Sequence, residues 1–71
     1  MRVFITGIAG VLGSSLARAL LEAGYSIAGN DIVRIDEAWR LADIRDRIRY
    51  LWKASNDLLC RDLKRYDVLF D

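Results

Sequence analysis

The chain has 71 residues, 11 basic against 10 acidic, with 54% hydrophobic, one cysteine, no histidine and no proline. So short a chain makes at most one domain and hides about 60% of the surface its unfolded form exposes, so its stability is marginal. The near balance of charge removes the general electrostatic reason to expect nucleic acid or an anionic membrane, Cys60 alone closes no intrachain disulfide, and the lack of histidine removes the usual Cys/His zinc sets.

No apolar run approaches the roughly 20 residues of a membrane-spanning helix, so the expectation is a soluble chain in a reducing, cytoplasmic setting. Met1-Arg2, an apolar stretch and Ser14-Ser15-Leu16-Ala17 superficially resemble a secretory leader. The apolar pattern nevertheless continues at helical spacing to Ala23, across Arg18 and Glu22, and a leader has no need of that face.

In chain order, Val3-Phe4-Ile5 is a short β-rich apolar run ending near a glycine, which predicts a strand over residues 2–6. Leu12, Leu16, Ala19, Leu20 and Ala23 fall at i, i+4, i+7, i+8 and i+11, one stripe of an amphipathic helix over 11–23, and Gly24 is placed to stop it. Residues 25–30 return as a second strand, which completes a right-handed βαβ unit. Two periods then compete: Ala38, Leu41, Ile44 or Arg45, Ile48 and Leu51 suit a helix, whereas Ile48, Tyr50 and Trp52 alternate as a strand does. A third parallel strand extends the sheet, so a helix over 37–46 followed by a strand over 47–52 is expected. Asn56 or Asp57 is placed to cap a last helix bearing Leu58, Leu59 and Leu63, and residues 67–71 read as a further buried strand. The fold class is α/β, a partial Rossmann-type parallel sheet in the order 3-2-1-4 with flanking helices, and its ligand crevice lies between strands one and four. Without linker, repeat or second domain, residues 1–71 read as the N-terminal half of a nucleotide-binding domain and as a fragment.

Gly7, Gly10 and Gly13 are spaced three and three, directly after the first strand and directly into the first helix. Gly7 permits the turn out of the strand, Gly10 leaves room for a pyrophosphate, and Gly13 lets the helix approach the sheet. First-turn amides lack intrahelical partners and carry about half a positive charge, which favours a diphosphate there. Asp31, eighteen residues beyond Gly13 at the end of the second strand, is placed to accept the adenosine ribose hydroxyls and to repel a 2′-phosphate. NAD is therefore expected in preference to NADP, although Arg34 nearby is able to meet a 2′-phosphate.

Thr6-Gly7-x-x-Gly10-x-x-Gly13 followed by Gly29-Asn30-Asp31 resembles the extended short-chain dehydrogenase/reductases, the NAD-dependent sugar epimerases and dehydratases. Asp62 to Phe70 is similar to the segment that leads into their fourth strand. The resemblance implies that the amides of Val11 and Leu12 contact pyrophosphate, that Asp31 and Arg34 flank the adenosine, and that the complete enzyme uses a Tyr-x-x-x-Lys pair. That pair is missing, because Tyr25, Tyr50 and Tyr66 are followed four residues later by Gly29, Ala54 and Phe70. The family often carries an acid after strand three for the adenine amino group, whereas Trp52 stands near that position here, with Asp57 as a substitute if the loop shifts.

Arg45, Arg47, Arg49 and Lys53, interleaved with Tyr50 and Trp52, pose as a basic aromatic surface for single-stranded nucleic acid, but Asp43 and Asp46 offset part of the charge. Trp39 and Trp52 are expected to pack and Cys60 to be partly buried. Two functions follow: the cofactor-binding segment of an NAD-dependent epimerase, dehydratase or reductase acting on nucleotide-sugar-like substrates by hydride transfer, or a non-catalytic NAD-binding or sensing module whose exposed sheet edges pair with another chain or copy.

Overall fold

The computed structural model describes residues 1–58 and 60–70, Cys60 in its backbone alone. Four strands, β1 (Arg2–Thr6), β2 (Ser26–Asp31), β3 (Ile48–Trp52) and β4 (Val68–Phe70), form one all-parallel sheet in the order β3-β2-β1-β4. Helix α1 (Val11–Glu22) crosses from β1 to β2, and the short α2 (Cys60–Leu63) precedes β4. The expected class and strand order are those observed, and the expected strand over 67–71 is narrower in its described part, Asp71 lying outside the described residues.

Alternation divides the sheet into two faces. Val3, Ile5 and Ile27 point to α1 and pack with Ile8, Ala9 and Ala17, joined by Ala38, Leu41 and Ile44. Phe4 is buried on the other face, where the Tyr66 ring meets it edge-on at 5.2 Å between centroids. Two-sided burial of β1 explains its unbroken apolar run. Helix α1 ends where Gly24, at φ +94°, turns the chain. The Gly24 amide donates to the Leu21 carbonyl at 3.0 Å and that of Tyr25 to Leu20 at 3.1 Å, so the last carbonyls are satisfied as the chain enters β2.

The segment before β3 departs from expectation. In place of a helix over 37–46, three 3₁₀ turns occur, Ile35–Glu37, Trp39–Leu41 and Arg45–Arg47. Ala38, Leu41 and Ile44 are spaced by three and all buried, and a helix of three residues per turn keeps such residues on one line. The amides of Ala38, Leu41, Ile44 and Arg47 each donate to the carbonyl three residues back. The Arg18 guanidinium clasps this segment to α1, donating to the Arg40 carbonyl at 2.6 Å and to both Asp43 carboxylate oxygens at 2.6 and 3.1 Å. That pairing holds the Asp43 carboxyl below its usual range.

Asn56 and Asp57 lie in a 3₁₀ turn, Ser55–Asp57, and Leu58 beyond it is extended, so neither residue directly caps α2; Leu59 and the Cys60 side chain lie outside the description. Trp39 and Trp52, expected to pack, are 71% and 64% exposed. Each ring instead lies beneath an arginine, Arg40 over Trp39 at 4.2 Å and Arg34 over Trp52 at 5.8 Å.

Strands β1 and β2 leave no room for a side chain at Gly29, which is paired with Ile5. A Cβ there would lie 2.4 Å from the Ile5 carbonyl oxygen and 2.7 Å from Ile8 Cβ. Gly29→Ala is expected to destabilise the chain by about 1–3 kcal/mol through overpacking, read as a lower denaturant midpoint at unchanged slope.

Candidate functional site

The turn between β1 and α1 occupies the carboxyl edge of the sheet, where open α/β sheets take ligands. Gly7 has φ +65°, a conformation that side chains disfavour, and its carbonyl accepts the Gly10 amide at 3.1 Å. A Cβ on Gly13 would lie 2.4 Å from the Gly7 carbonyl oxygen and 2.8 Å from Ile8 Cα, so α1 seats directly on the turn. At Gly10 the nearest atom to such a Cβ is again the Gly7 oxygen, at 3.4 Å, and the rest of its surroundings is open.

Helix α1 begins without a side-chain cap and without an acid in its first turn. The first intrahelical bond joins the Ser14 amide to the Gly10 carbonyl at 3.0 Å, which leaves the amides of Val11, Leu12 and Gly13 ahead of the ladder. Val11 and Leu12 side chains are exposed, Leu12 at 86%, so both stand clear of the core at the mouth of the turn.

Asp31 ends β2 beside this turn, and its carboxylate is largely committed to backbone. Oδ2 accepts the Ala9 amide at 3.0 Å, and Oδ1 accepts those of Ile32 at 2.8 Å and Val33 at 3.3 Å. A carboxylate offers about four acceptor directions, so one remains for a ligand hydroxyl. With three backbone amides already bound, the carboxylate has less free capacity than the expected pair of ribose hydroxyls would use. The neighbouring Asn30 carbonyl accepts the Ile8 amide at 3.1 Å, so the end of β2 grips the turn twice.

The chain after Asp31 is stapled to β3 by two aromatic residues whose role was not legible beforehand. Trp52 Nε1 donates to the Ile32 carbonyl at 2.9 Å, and the Tyr50 hydroxyl donates to that of Val33. Arg34 lies over the Trp52 ring and pairs with Asp36 at 3.3 Å. Its charge is thus partly answered within its own loop, on the Asp31 side of the site.

Two cavities flank the glycine turn. One of about 220 Å³ lies on the β2 side, lined by Gly7, Asn30, Asp31, Ile32 and residues Lys53 to Ser55. The other, about 150 Å³, lies on the β4 side among Ile5, Thr6, Leu12, Gly13, Leu16 and Phe70. The residues present fit a dinucleotide: the open position at Gly10 and the unladdered amides accommodate a diphosphate, with a cavity on each side for a nucleoside half.

Lys53, Ala54 and Ser55 line the β2-side cavity, and Asp57 does not. Asp57 lies in the 3₁₀ turn Ser55–Asp57 that continues from this wall. Tyr50 is held as a donor to backbone, and burial pushes its phenol up to about 12, opposite to the direction an acid/base tyrosine requires. Among the described residues no cluster of three or more His, Cys, Asp or Glu is placed to hold a metal, and no helix is long and apolar enough to cross a membrane.

No family model matches the chain. It is similar to an uncharacterized protein of Schizosaccharomyces pombe, 51% identical over 37 residues, which take in 52% of this chain and 12% of that protein. It is also similar to the UDP-N-acetylmuramate--L-alanine ligase of Anaeromyxobacter dehalogenans, 33% identical over 57 residues, or 80% of this chain and 12% of the ligase. The matched stretches thus span about an eighth of either relative's length. Together with the parallel sheet and its glycine turn, the second likeness is compatible with nucleotide binding.

The Tyr50 staple carries a pH signature. Its phenol is raised from 10.0 to about 12, first by burial and then by repulsion from Asp31. The bond's contribution is fully present below pH 10 and is lost as pH rises through about 12, because the unfolded chain releases this proton first. Denaturation midpoints of the wild type are expected to fall across that window, and Tyr50→Phe is expected to fall less steeply from a lower starting value.

Proposed function

We propose that this chain is the NAD-binding segment of an extended short-chain dehydrogenase/reductase, an epimerase, dehydratase or reductase acting on nucleotide-sugar-like substrates. One observation carries the reading: an uncapped helix opens onto a turn in which Gly10 leaves the approach to three amides clear, while Asp31 stands beside it with an acceptor to spare. Dinucleotide recognition needs that pairing of an anion cradle with a ribose acceptor.

In this reading the amides of Val11, Leu12 and Gly13 hold the diphosphate, and Asp31 takes one hydroxyl of the adenosine ribose. A 2′-phosphate in that place would meet the carboxylate, which favours NAD over NADP, and Arg34 is already engaged by Asp36 and Trp52. NAD, when bound, supplies the hydride chemistry. The chain's own residues bind and orient it, and the Tyr-x-x-x-Lys pair that the family uses for proton transfer is not among residues 1–71.

A second reading is favoured by the likeness to a ligase whose name specifies a UDP-linked sugar. The same cradle then holds the diphosphate of a nucleotide ligand with no hydride transfer, and the chain is a non-catalytic binding module.

Titration of the full chain, followed by the fluorescence of Trp52 and Trp39, separates these readings. NAD binding tighter than NADP and tighter than UDP supports the first, and UDP binding with none of NAD supports the second. Asp31→Ala is expected to weaken NAD about tenfold, as loss of one charge-assisted hydrogen bond implies, and to narrow the gap to NADP. An unchanged preference in that variant would falsify the assignment of Asp31, and an unchanged affinity in Gly10→Val would remove the cradle itself.

A further inference from the structure

The sheet face opposite α1 carries a third cavity, of about 360 Å³, larger than either cavity beside the glycine turn. Small-molecule pockets occupy roughly 300–1,000 Å³, a range that this cavity reaches and the other two do not. Its lining is Arg49, Leu51, Arg61, Asp62, Arg65 and Tyr66. Strand register places one wall: Arg49 lies beside Ala28, and Ala28 beside Phe4, so Arg49 stands on the face where Phe4 meets the Tyr66 ring. The other wall comes from α2, which holds Arg61, and from the turn that follows it, which holds Arg65.

The charge gathered there is unanswered. None of the three guanidinium groups makes a hydrogen bond or an ion pair among the described residues, whereas Arg18 and Arg34 each meet a carboxylate. The one carboxylate in the lining, that of Asp62, accepts from Lys53 Nζ at 3.1 Å. Three like charges around one hollow repel one another, and a bound anion reverses that repulsion. The basic aromatic run over 45–53 does not make a stacking strip, because Tyr50 packs toward the core on the α1 face and Trp52 is tied to the Ile32 carbonyl. These rings are turned away from Arg49, and what accompanies it is a hollow of small-ligand size.

We infer that this cavity binds the phosphate monoester of a small organic molecule, with Arg49, Arg61 and Arg65 on the phosphoryl oxygens and Leu51 and Tyr66 against the carbon body. Guanidinium groups suit that task, since their planar forks give a phosphate two parallel hydrogen bonds each. The site stands apart from the glycine turn and does not depend on the dinucleotide reading. The Lys53–Asp62 ion pair lies between the two regions, Lys53 lining the β2-side cavity and Asp62 this one.

The test titrates the full chain with glycerol phosphate, inorganic phosphate and glycerol, followed by the proton–nitrogen correlation signals of the arginine Nε–H groups. Glycerol phosphate is expected to move the signals of Arg49, Arg61 and Arg65, to bind more tightly than inorganic phosphate, and to bind Gly10→Val as it binds the wild type. Glycerol is expected to move none of them. Arg61→Gln and Arg65→Gln, both at exposed positions, are each expected to weaken glycerol phosphate about tenfold, as loss of a charge-assisted hydrogen bond implies, whereas Arg45→Gln, outside the cavity, leaves it unchanged. Equal weakening in all three glutamine variants overturns the site and leaves only general charge attraction. Binding that is lost in Gly10→Val overturns its separateness from the glycine turn, and inorganic phosphate held as tightly as the monoester overturns the role of Leu51 and Tyr66. Oligothymidylate bound at these arginines with glycerol phosphate excluded overturns the inference in favour of a nucleic-acid contact, and no shift with any probe overturns it outright.

Discussion

Helix α1 rests against the turn that precedes it with no side chain between them, and the geometry of the whole carboxyl edge depends on that contact. A Cβ on Gly13 would stand 2.4 Å from the Gly7 carbonyl oxygen, a distance no backbone atom yields to cheaply. Seated this closely, α1 directs its first-turn amides at the opening left by Gly10, and its axis places Ala17 against Val3, Ile5 and Ile27 in the core. Burial of that apolar face stabilises the helix far more than its propensity does. The same packing that makes the chain fold thus leaves the helix mouth without a side-chain cap.

Asp31 extends this arrangement from β1 to β2. Three backbone amides converge on its carboxylate, one from the glycine turn and two from its own loop. The glycine turn is thereby braced against the end of β2. Tyr50 and Trp52 brace the outer loop in turn, holding residues 32 and 33 by their carbonyls. The site is built mostly from backbone, with side chains acting as struts.

Which parts were legible in the sequence follows from how local their causes are. Strand β1, helix α1, its stop at Gly24 and strand β2 rest on alternation, on an amphipathic stripe and on glycines, all visible within a few residues, and they stand where expected. The expectation of an α-helix over 37–46 rests on Ala38, Leu41 and Ile44, which satisfy part of that pattern. Their strict three-residue spacing, with Ala42 and Arg45 exposed, is the mark of 3₁₀ geometry instead. The position of Asp31 was legible from spacing, but its commitment to the Ala9 amide was not, because that bond exists only once the turn has folded. Gly29 and Asn30 carried a recognisable motif, yet the close approach to Ile5 and the reach of Asn30 to Lys53 arise from pairing across strands far apart in sequence. The aromatic residues of β3 alternate as strand residues do, and nothing in that alternation distinguishes a core ring from one whose polar edge holds a neighbouring loop.

The two cavities beside the turn differ in chemistry, and the difference divides the labour of the fold. On the β2 side, Asn30, Asp31 and Ser55 bring a carboxamide, a carboxylate and a hydroxyl to the wall. On the β4 side the wall is Ile5, Leu12, Leu16, Phe70 and glycine, and its one hydroxyl, that of Thr6, donates to the Phe70 carbonyl at 3.2 Å. An apolar wall of that kind supports a flat ring and shields it from water, but it moves no proton. The polar groups beside the turn thus gather on the β2 side, while the β4-side wall is mostly apolar.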